Sequence, residues 1–219
     1  VSSIAEVHAQ LTAPGERFEM TEVVVGGQPL RTWKHAPPHL PALLAVSRAH
    51  GDQAFLVYED EALTFEQHYR AAAHLAHVLR DRYGVAPGDR VAIAMRNFPE
   101  WSLAFWGATA AGAVVVPLNA WWTAGELAFG LQHSGSKVAF VDEERLARLD
   151  DVRDDLGDLS LVVARASAGT AGARARGADD MADLLADVPD DVELPAVDLA
   201  PEDPATIFYT SGTTGRPKG

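Results

Sequence analysis

The chain has 219 residues, 47% of them hydrophobic and 22% charged, which is enough for one large core or two small ones in a soluble globular protein. It has no cysteine, which excludes disulfides, thiolate metal sites and cysteine nucleophiles. The formal charge of -13 sits almost wholly between Asp142 and Asp203, where 18 acids face 6 arginines, a balance that argues against nucleic-acid binding and reads as a solvated acidic face.

No apolar run approaches the roughly 20 residues of a membrane span, and VSSIAEVHAQ lacks the basic start and apolar stretch of a signal peptide. A cytoplasmic location is the resulting expectation. In chain order, residues 1–38 carry little periodicity and end in Ala36-Pro37-Pro38, so they are expected to form an N-terminal extended segment. HLPALLAVSRAHGD predicts a short helix closed by Gly51, and AFLVYED and EALTF predict two strands. From Thr64 the period changes: Phe65, Tyr69, Ala72, Ala76, Leu79 and Tyr83 share one helical face, with Thr64 and Gln67 at capping-box spacing.

A repeating unit follows. RVAIAM, VVVPL, KVAFVD and LSLVVA are near-continuous apolar strands separated by the helices PEWSLAFWGATAAG, TAGELAFGLQHSG and DEERLARLDDVRDDL. Asn97 is placed to cap the first of these, and Thr123 with Glu126 the second. Strands of this kind alternating with helices predict an α/β fold, a doubly wound, mostly parallel sheet flanked by helices. The sheet subdomain is expected over 39–164. Residues 165–203 read as an acidic flexible connection with one short helix, DMADLLAD, and 204–219 as a strand and loop opening a next subdomain.

That last loop carries the chemistry. Thr210-Ser211-Gly212-Thr213-Thr214-Gly215-Arg216-Pro217-Lys218 combines glycines that let backbone N–H groups approach an anion, short hydroxyls that add directed donors, and a lysine that offsets charge. Those are the requirements for holding a polyphosphate. It is not the common P-loop, because Gly212 and Gly215 are three apart and Pro217 disfavours an immediate helix.

YTSGTTGRPKG resembles the signature of the adenylate-forming superfamily of acyl-CoA synthetases, aryl-CoA ligases, peptide-synthetase adenylation domains and luciferases. The similarity runs from about Leu40 to Gly219, and GDRVAIAMRNFPEW followed by VVVPLN is most like bacterial fatty-acyl-CoA synthetases. The resemblance implies the N-terminal part of the large domain of an acyl-CoA synthetase-like fold. It also implies a two-step reaction with ATP, Mg2+ and coenzyme A: a carboxylic acid becomes an acyl-adenylate, and the thiol of coenzyme A then displaces AMP.

By the same resemblance Thr210, Ser211, Thr213 and Thr214 donate hydroxyls to the β- and γ-phosphates, Gly212 and Gly215 cradle them, and Lys218 is a mobile charge partner. The family's adenine-binding aromatic, magnesium-binding glutamate, ribose-binding aspartate and C-terminal catalytic lysine lie downstream of such a loop. No catalytic residue and no metal ligand is therefore expected within this chain, which is expected to be an inactive N-terminal portion. The alternative is a non-catalytic module that binds nucleotide weakly or docks a partner; a stand-alone NTPase fits worst, since no acidic residue follows the loop. A homo-oligomer stays open.

Other residues have plainer readings. His74 and His77 are spaced i, i+3 on one helix without a third metal ligand, and read as surface histidines. Trp121 and Trp122 are adjacent and cannot both face one way; packing is the expected role, with a place for one of them at an acyl or partner surface as the alternative. Asp142, Glu143 and Glu144 suit a helix N-terminus.

Overall fold

The computed structural model describes residues 3–210 and 217–219. It opens with helix α1 (Ile4–Leu11), closed at its start by a capping box between Ser3 and Glu6. Strands β1 (Met20–Val25) and β2 (Gln28–Trp33) then pair as an antiparallel hairpin. The expected extended segment over 1–38 is thus a helix and a hairpin. Gly26 and Gly27, both at positive φ (56° and 79°), make the two-residue turn, and strands of six residues are too short to register as long-range periodicity.

Helix α2 (Leu40–Ser47) runs into a single 3-10 turn, and the hairpin β3 (Ala54–Tyr58) and β4 (Glu61–Thr64) leads into α3 (Phe65–Asp81). The Thr64–Gln67 capping box forms in both directions, and Tyr69, Ala72, Ala76 and Leu79 are buried along the expected face.

Among the described residues, the central sheet has β5 (Arg90–Ala94), β6 (Val114–Pro117), β7 (Ser136–Asp142), β8 (Ser160–Ala164) and the short β9 (Asp179–Asp180), all parallel, in the order β6-β5-β7-β8-β9. Alternation along the strands divides the core in two. Val91, Ile93, Val115, Val138, Phe140 and Val162 pack on one face against α3, α4 (Pro99–Ala110) and α8 (Met181–Leu184). Ala92, Ala94, Val116, Ala139, Val141 and Val163 pack on the other against α5 (Ala124–Ser134), α6 (Glu143–Asp150) and α7 (Gly169–Ala175). Because a strand side chain changes face at every residue, only strands apolar at all positions can feed both layers. The chain moves outward from β5 to β6 and then returns across β5 to β7, so the connections reverse between β5 and β7. In doubly wound sheets ligands bind outside the carboxyl ends of the strands at such a point.

Three local expectations are revised. Helix α4 starts at Pro99, so the cap position falls to Phe98, which is extended (φ -87°, ψ 160°) and makes no side-chain cap bond; Asn97 lies outside. Proline at the first helical position fixes that start. The glycine-rich stretch after Arg165 contains α7, whose Ala173 is buried. Residues 184–196 are not a loose connection, because α3 presents Arg70, His74, His77 and Arg80 at helical spacing to the carbonyls of Pro189, Leu184, Glu193 and Ala196. His74 and His77 are therefore strap residues that bond backbone oxygens at 3.0 and 2.9 Å.

Candidate functional site

Ala205 and Ile207 flank the open edge of β6. The Val115 amide donates to the Ala205 carbonyl and the Ile207 amide to the Val115 carbonyl, both at 2.9 Å, so this segment continues the sheet as a parallel bridge at Thr206 rather than as a full strand. It carries the chain along β6 to Thr210.

There the backbone turns back on itself. The Thr210 amide donates to the Lys218 carbonyl at 2.8 Å and the Lys218 amide to the Thr210 carbonyl at 3.0 Å, an antiparallel bridge that closes the stem of the glycine loop. Of the sequence-derived phosphate-binding residues, the structure brings Thr210 and Lys218 together as this base pair of the stem. Ser211, Gly212, Thr213, Thr214 and Gly215, together with Arg216, lie outside the described residues. Pro217 is buried, whereas Lys218 is exposed and its ammonium has no hydrogen bond or ion pair among the described residues.

Tyr209 anchors the stem. Its ring meets the Trp122 indole edge-on at 5.9 Å, and its hydroxyl lies 2.7 Å from His133 Nδ1 at the end of α5. The ring also underlies Gly219, where a Cβ would come within 2.7 Å of it. Burial pushes the Tyr209 phenol up, against a smaller opposing effect of the Ser134 hydroxyl.

A second feature lies at the carboxyl ends of β5 and β6. A cleft of about 510 Å³ is walled by Tyr58, Phe98, Trp101 and Trp121, with the Asn97 and Asn119 amides at its rim. Arg96 projects into it, exposed, with no side-chain partner among the described residues. The adjacent tryptophans separate as their neighbourhood in the chain requires: Trp121 is 72% exposed at the cleft, and Trp122 is buried against Tyr209.

The cleft wall is fixed from behind. Asp142, at the end of β7, caps α6 by accepting from the Arg145 amide at 3.0 Å, and accepts from the Arg96 amide at 2.9 Å across the reversal between β5 and β7. Arg145 donates through Nε to the Ala120 carbonyl at 2.6 Å and stands over the Trp121 ring, and Arg148 donates to the Ala120 and Trp122 carbonyls. One acid and two arginines thus tie together the loops after β5, β6 and β7. The sequence signalled Asp142 as a helix-start acid but held no sign that its other oxygen would bind Arg96. His133 and Tyr209 likewise pair across 76 residues, with no local signature.

The site is therefore that of a doubly wound α/β protein in which Thr206 bridges to β6 and Thr210 bridges to Lys218. A family model, AMP-binding enzyme, matches residues 44–219, and the chain belongs to that family. It is similar to the long-chain-fatty-acid–CoA ligase FadD13 of Mycobacterium tuberculosis, 38% identical over 163 residues, covering 73% of this chain and 29% of that protein. It is also similar to 4-hydroxybutyrate–CoA ligase 2 of Metallosphaera sedula, 31% identical over 196 residues, covering 89% of this chain and 35% of the ligase. Among solved structures, the anthranilate CoA ligase AuaEII in complex with anthranoyl-AMP superposes with a TM-score of 0.74 at 25% identity, over 84% of this chain and 34% of that one. The chain thus spans roughly a third of the length of these curated relatives.

Proposed function

We propose that the chain is the N-terminal portion of an ATP-dependent, AMP-forming acid–thiol ligase that acts on a fatty acid in the cytoplasm. The observation that carries this reading is the stem. The antiparallel Thr210–Lys218 bridge brings together the two ends of the segment whose sequence has the donors a polyphosphate needs. The fatty-acid assignment rests on GDRVAIAMRNFPEW and VVVPLN, which resemble bacterial fatty-acyl-CoA synthetases.

In the first half-reaction a carboxylate oxygen attacks the α-phosphorus of ATP. The bond between that phosphorus and the bridging oxygen to the β-phosphorus breaks, and pyrophosphate leaves. In the second, the thiolate of coenzyme A attacks the acyl carbon and AMP departs. This chain's contribution is to the leaving group. The hydroxyls of Thr210, Ser211, Thr213 and Thr214, the amides at Gly212 and Gly215 and the Lys218 ammonium hold the β- and γ-phosphates and stabilise charge as it builds on them. Among the described residues no group of three or more His, Asp or Glu side chains could hold a metal ion.

The chain alone is expected to bind ATP without turning it over. The test is an ATP titration followed by tryptophan emission, beside a pyrophosphate-release assay with ATP, a fatty acid and coenzyme A. Saturable ATP binding without release is the expected result. Absence of binding removes the phosphate-loop reading, and release of pyrophosphate removes the inactive-portion reading.

A further inference from the structure

The stem of the loop is short. Two backbone hydrogen bonds join Thr210 and Lys218, and a two-residue bridge of this kind is marginal without outside support. Its support comes from α5, which packs in the same layer as Ile207 and Tyr209 and whose His133 is 76 residues from Tyr209 in sequence.

We propose that His133 is a positioning residue for the phosphate loop, acting through the Tyr209 hydroxyl; as a role in the reaction, this rests on the functional reading above. Three observations converge on it. His133 Nδ1 and the Tyr209 hydroxyl are 2.7 Å apart, while the same hydroxyl is 3.5 Å from the Gly130 carbonyl, so the imidazole is the closer partner. The imidazole is itself held: it stacks on Phe129 at 5.2 Å with a 22° interplanar angle, which fixes the plane of the ring. Finally, the ring so fixed fills the space between Trp122 and Gly219, so its position decides where the returning limb of the stem lies.

With Nδ1 unprotonated, the Tyr209 O–H donates to it; with Nδ1 protonated, the imidazole donates to the phenol oxygen and the hydroxyl can turn to the Gly130 carbonyl. The contact survives in both states, so the device is a brace and not a proton switch. Its consequence is directional. Lys218 is the residue paired with Thr210, one position from Tyr209, so a tilt of the Tyr209 ring moves the base from which the Lys218 ammonium is delivered.

The test uses the 219-residue chain with His133→Leu, His133→Asn and Tyr209→Phe. Asparagine puts an amide near the place of Nδ1 and is the conservative rescue; leucine offers no polar atom; Tyr209→Phe removes only the hydroxyl and keeps the question answerable if His133→Leu does not fold. Two quantities are read: amide exchange at Thr210 and Lys218 by NMR, and ATP affinity. His133→Leu and Tyr209→Phe are expected to speed exchange and weaken ATP by about threefold to tenfold, the worth of one hydrogen bond, with His133→Asn close to the unsubstituted chain.

Unchanged exchange in both Tyr209→Phe and His133→Leu, or exchange in the unsubstituted chain as fast as in an unstructured peptide, overturns the brace. Faster exchange with ATP affinity unaltered overturns the role in phosphate binding. If the unsubstituted chain binds no ATP, the functional reading fails, and the exchange rates still decide whether His133 holds the stem.

Discussion

The Asp142 carboxylate and the Arg145 guanidinium form an ion pair at 2.9 Å in which the arginine side chain is wholly buried and the acid 5% exposed. The pair sits where the sheet connections reverse, and the same carboxylate also receives the Arg96 amide and the Arg145 amide. Arg145 Nη2 has no acceptor among the described residues, so the guanidinium depends on Asp142 together with Glu144 and the Ala120 carbonyl.

Removing Asp142 leaves that buried charge poorly compensated. Asp142→Ala is expected to destabilise the chain by about 3–5 kcal/mol, the cost of breaking a buried pair from one side. Asp142→Asn keeps an acceptor for the helix cap and should lose less. Urea unfolding of the two variants checks the ordering.

His68 is 1% exposed and bonds Ser102 Oγ at 2.9 Å, and burial pushes its pKa down to about 4. The unfolded chain takes up a proton near the ordinary value of 6.5, the folded chain only near 4. Between those values the unfolded state binds more protons, so this contribution is complete above about pH 6.5 and is lost as pH falls toward about 4, by up to roughly 3 kcal/mol. His68→Phe preserves the edge-on packing against Phe55 and removes the titration. The difference in melting temperature between the chain and this variant should therefore change from pH 7.5 to pH 5.

Gly107 marks the closest approach of α4 to α3. A Cβ there would lie 3.0 Å from Cβ, Cγ and Cδ2 of Leu75, which is itself fully buried. Gly107→Ala gains about 1 kcal/mol of helix propensity but costs about 1–3 by overpacking, so a net loss near 1 kcal/mol is expected. Adding Leu75→Ala should make the double variant less unstable than the two single changes summed, as measured by denaturant unfolding.

Arg165, at positive φ (56°), lies between the Tyr58 and Phe98 rings, 5.0 Å from each, while its guanidinium pairs with Glu61 and Glu100. It pins the β3–β4 hairpin to the end of β8. Lysine cannot reproduce the planar stacking or the forked pairing. Arg165→Lys should speed amide exchange across residues 54–64 while leaving β5 and β7 protected.

Lys218 is exposed, and its side chain has no partner among the described residues. Lys218→Ala should leave the melting temperature within the range of ordinary surface changes and weaken ATP binding by about tenfold, if the ammonium meets the phosphates. A thermal melt checks the first half and calorimetric titration with ATP the second.

Much of the architecture was legible along the chain. The capping boxes at Thr64 and Thr123 and the strands that pack on both faces are local or period-2 properties. What was not legible is long-range. The strap over α3 uses carbonyls of an irregular segment, which has no composition signal beyond its acids, and the N-terminal hairpin has strands too short for periodicity to resolve.

The amino-acid sequence by itself determined the alternation of strand and helix and the two-faced core, because each is set by neighbours within a few turns of chain. Tertiary structure alone decided the long-range contacts beside Thr210 and at the cleft: His133 against Tyr209, and Asp142 between Arg96 and Arg145. Except for the i,i+3 contact of Asp142 with Arg145, these are single polar contacts between distant segments. A hydrogen bond has a reach of about 3 Å, so which groups pair is settled only when packing has brought the segments to that distance.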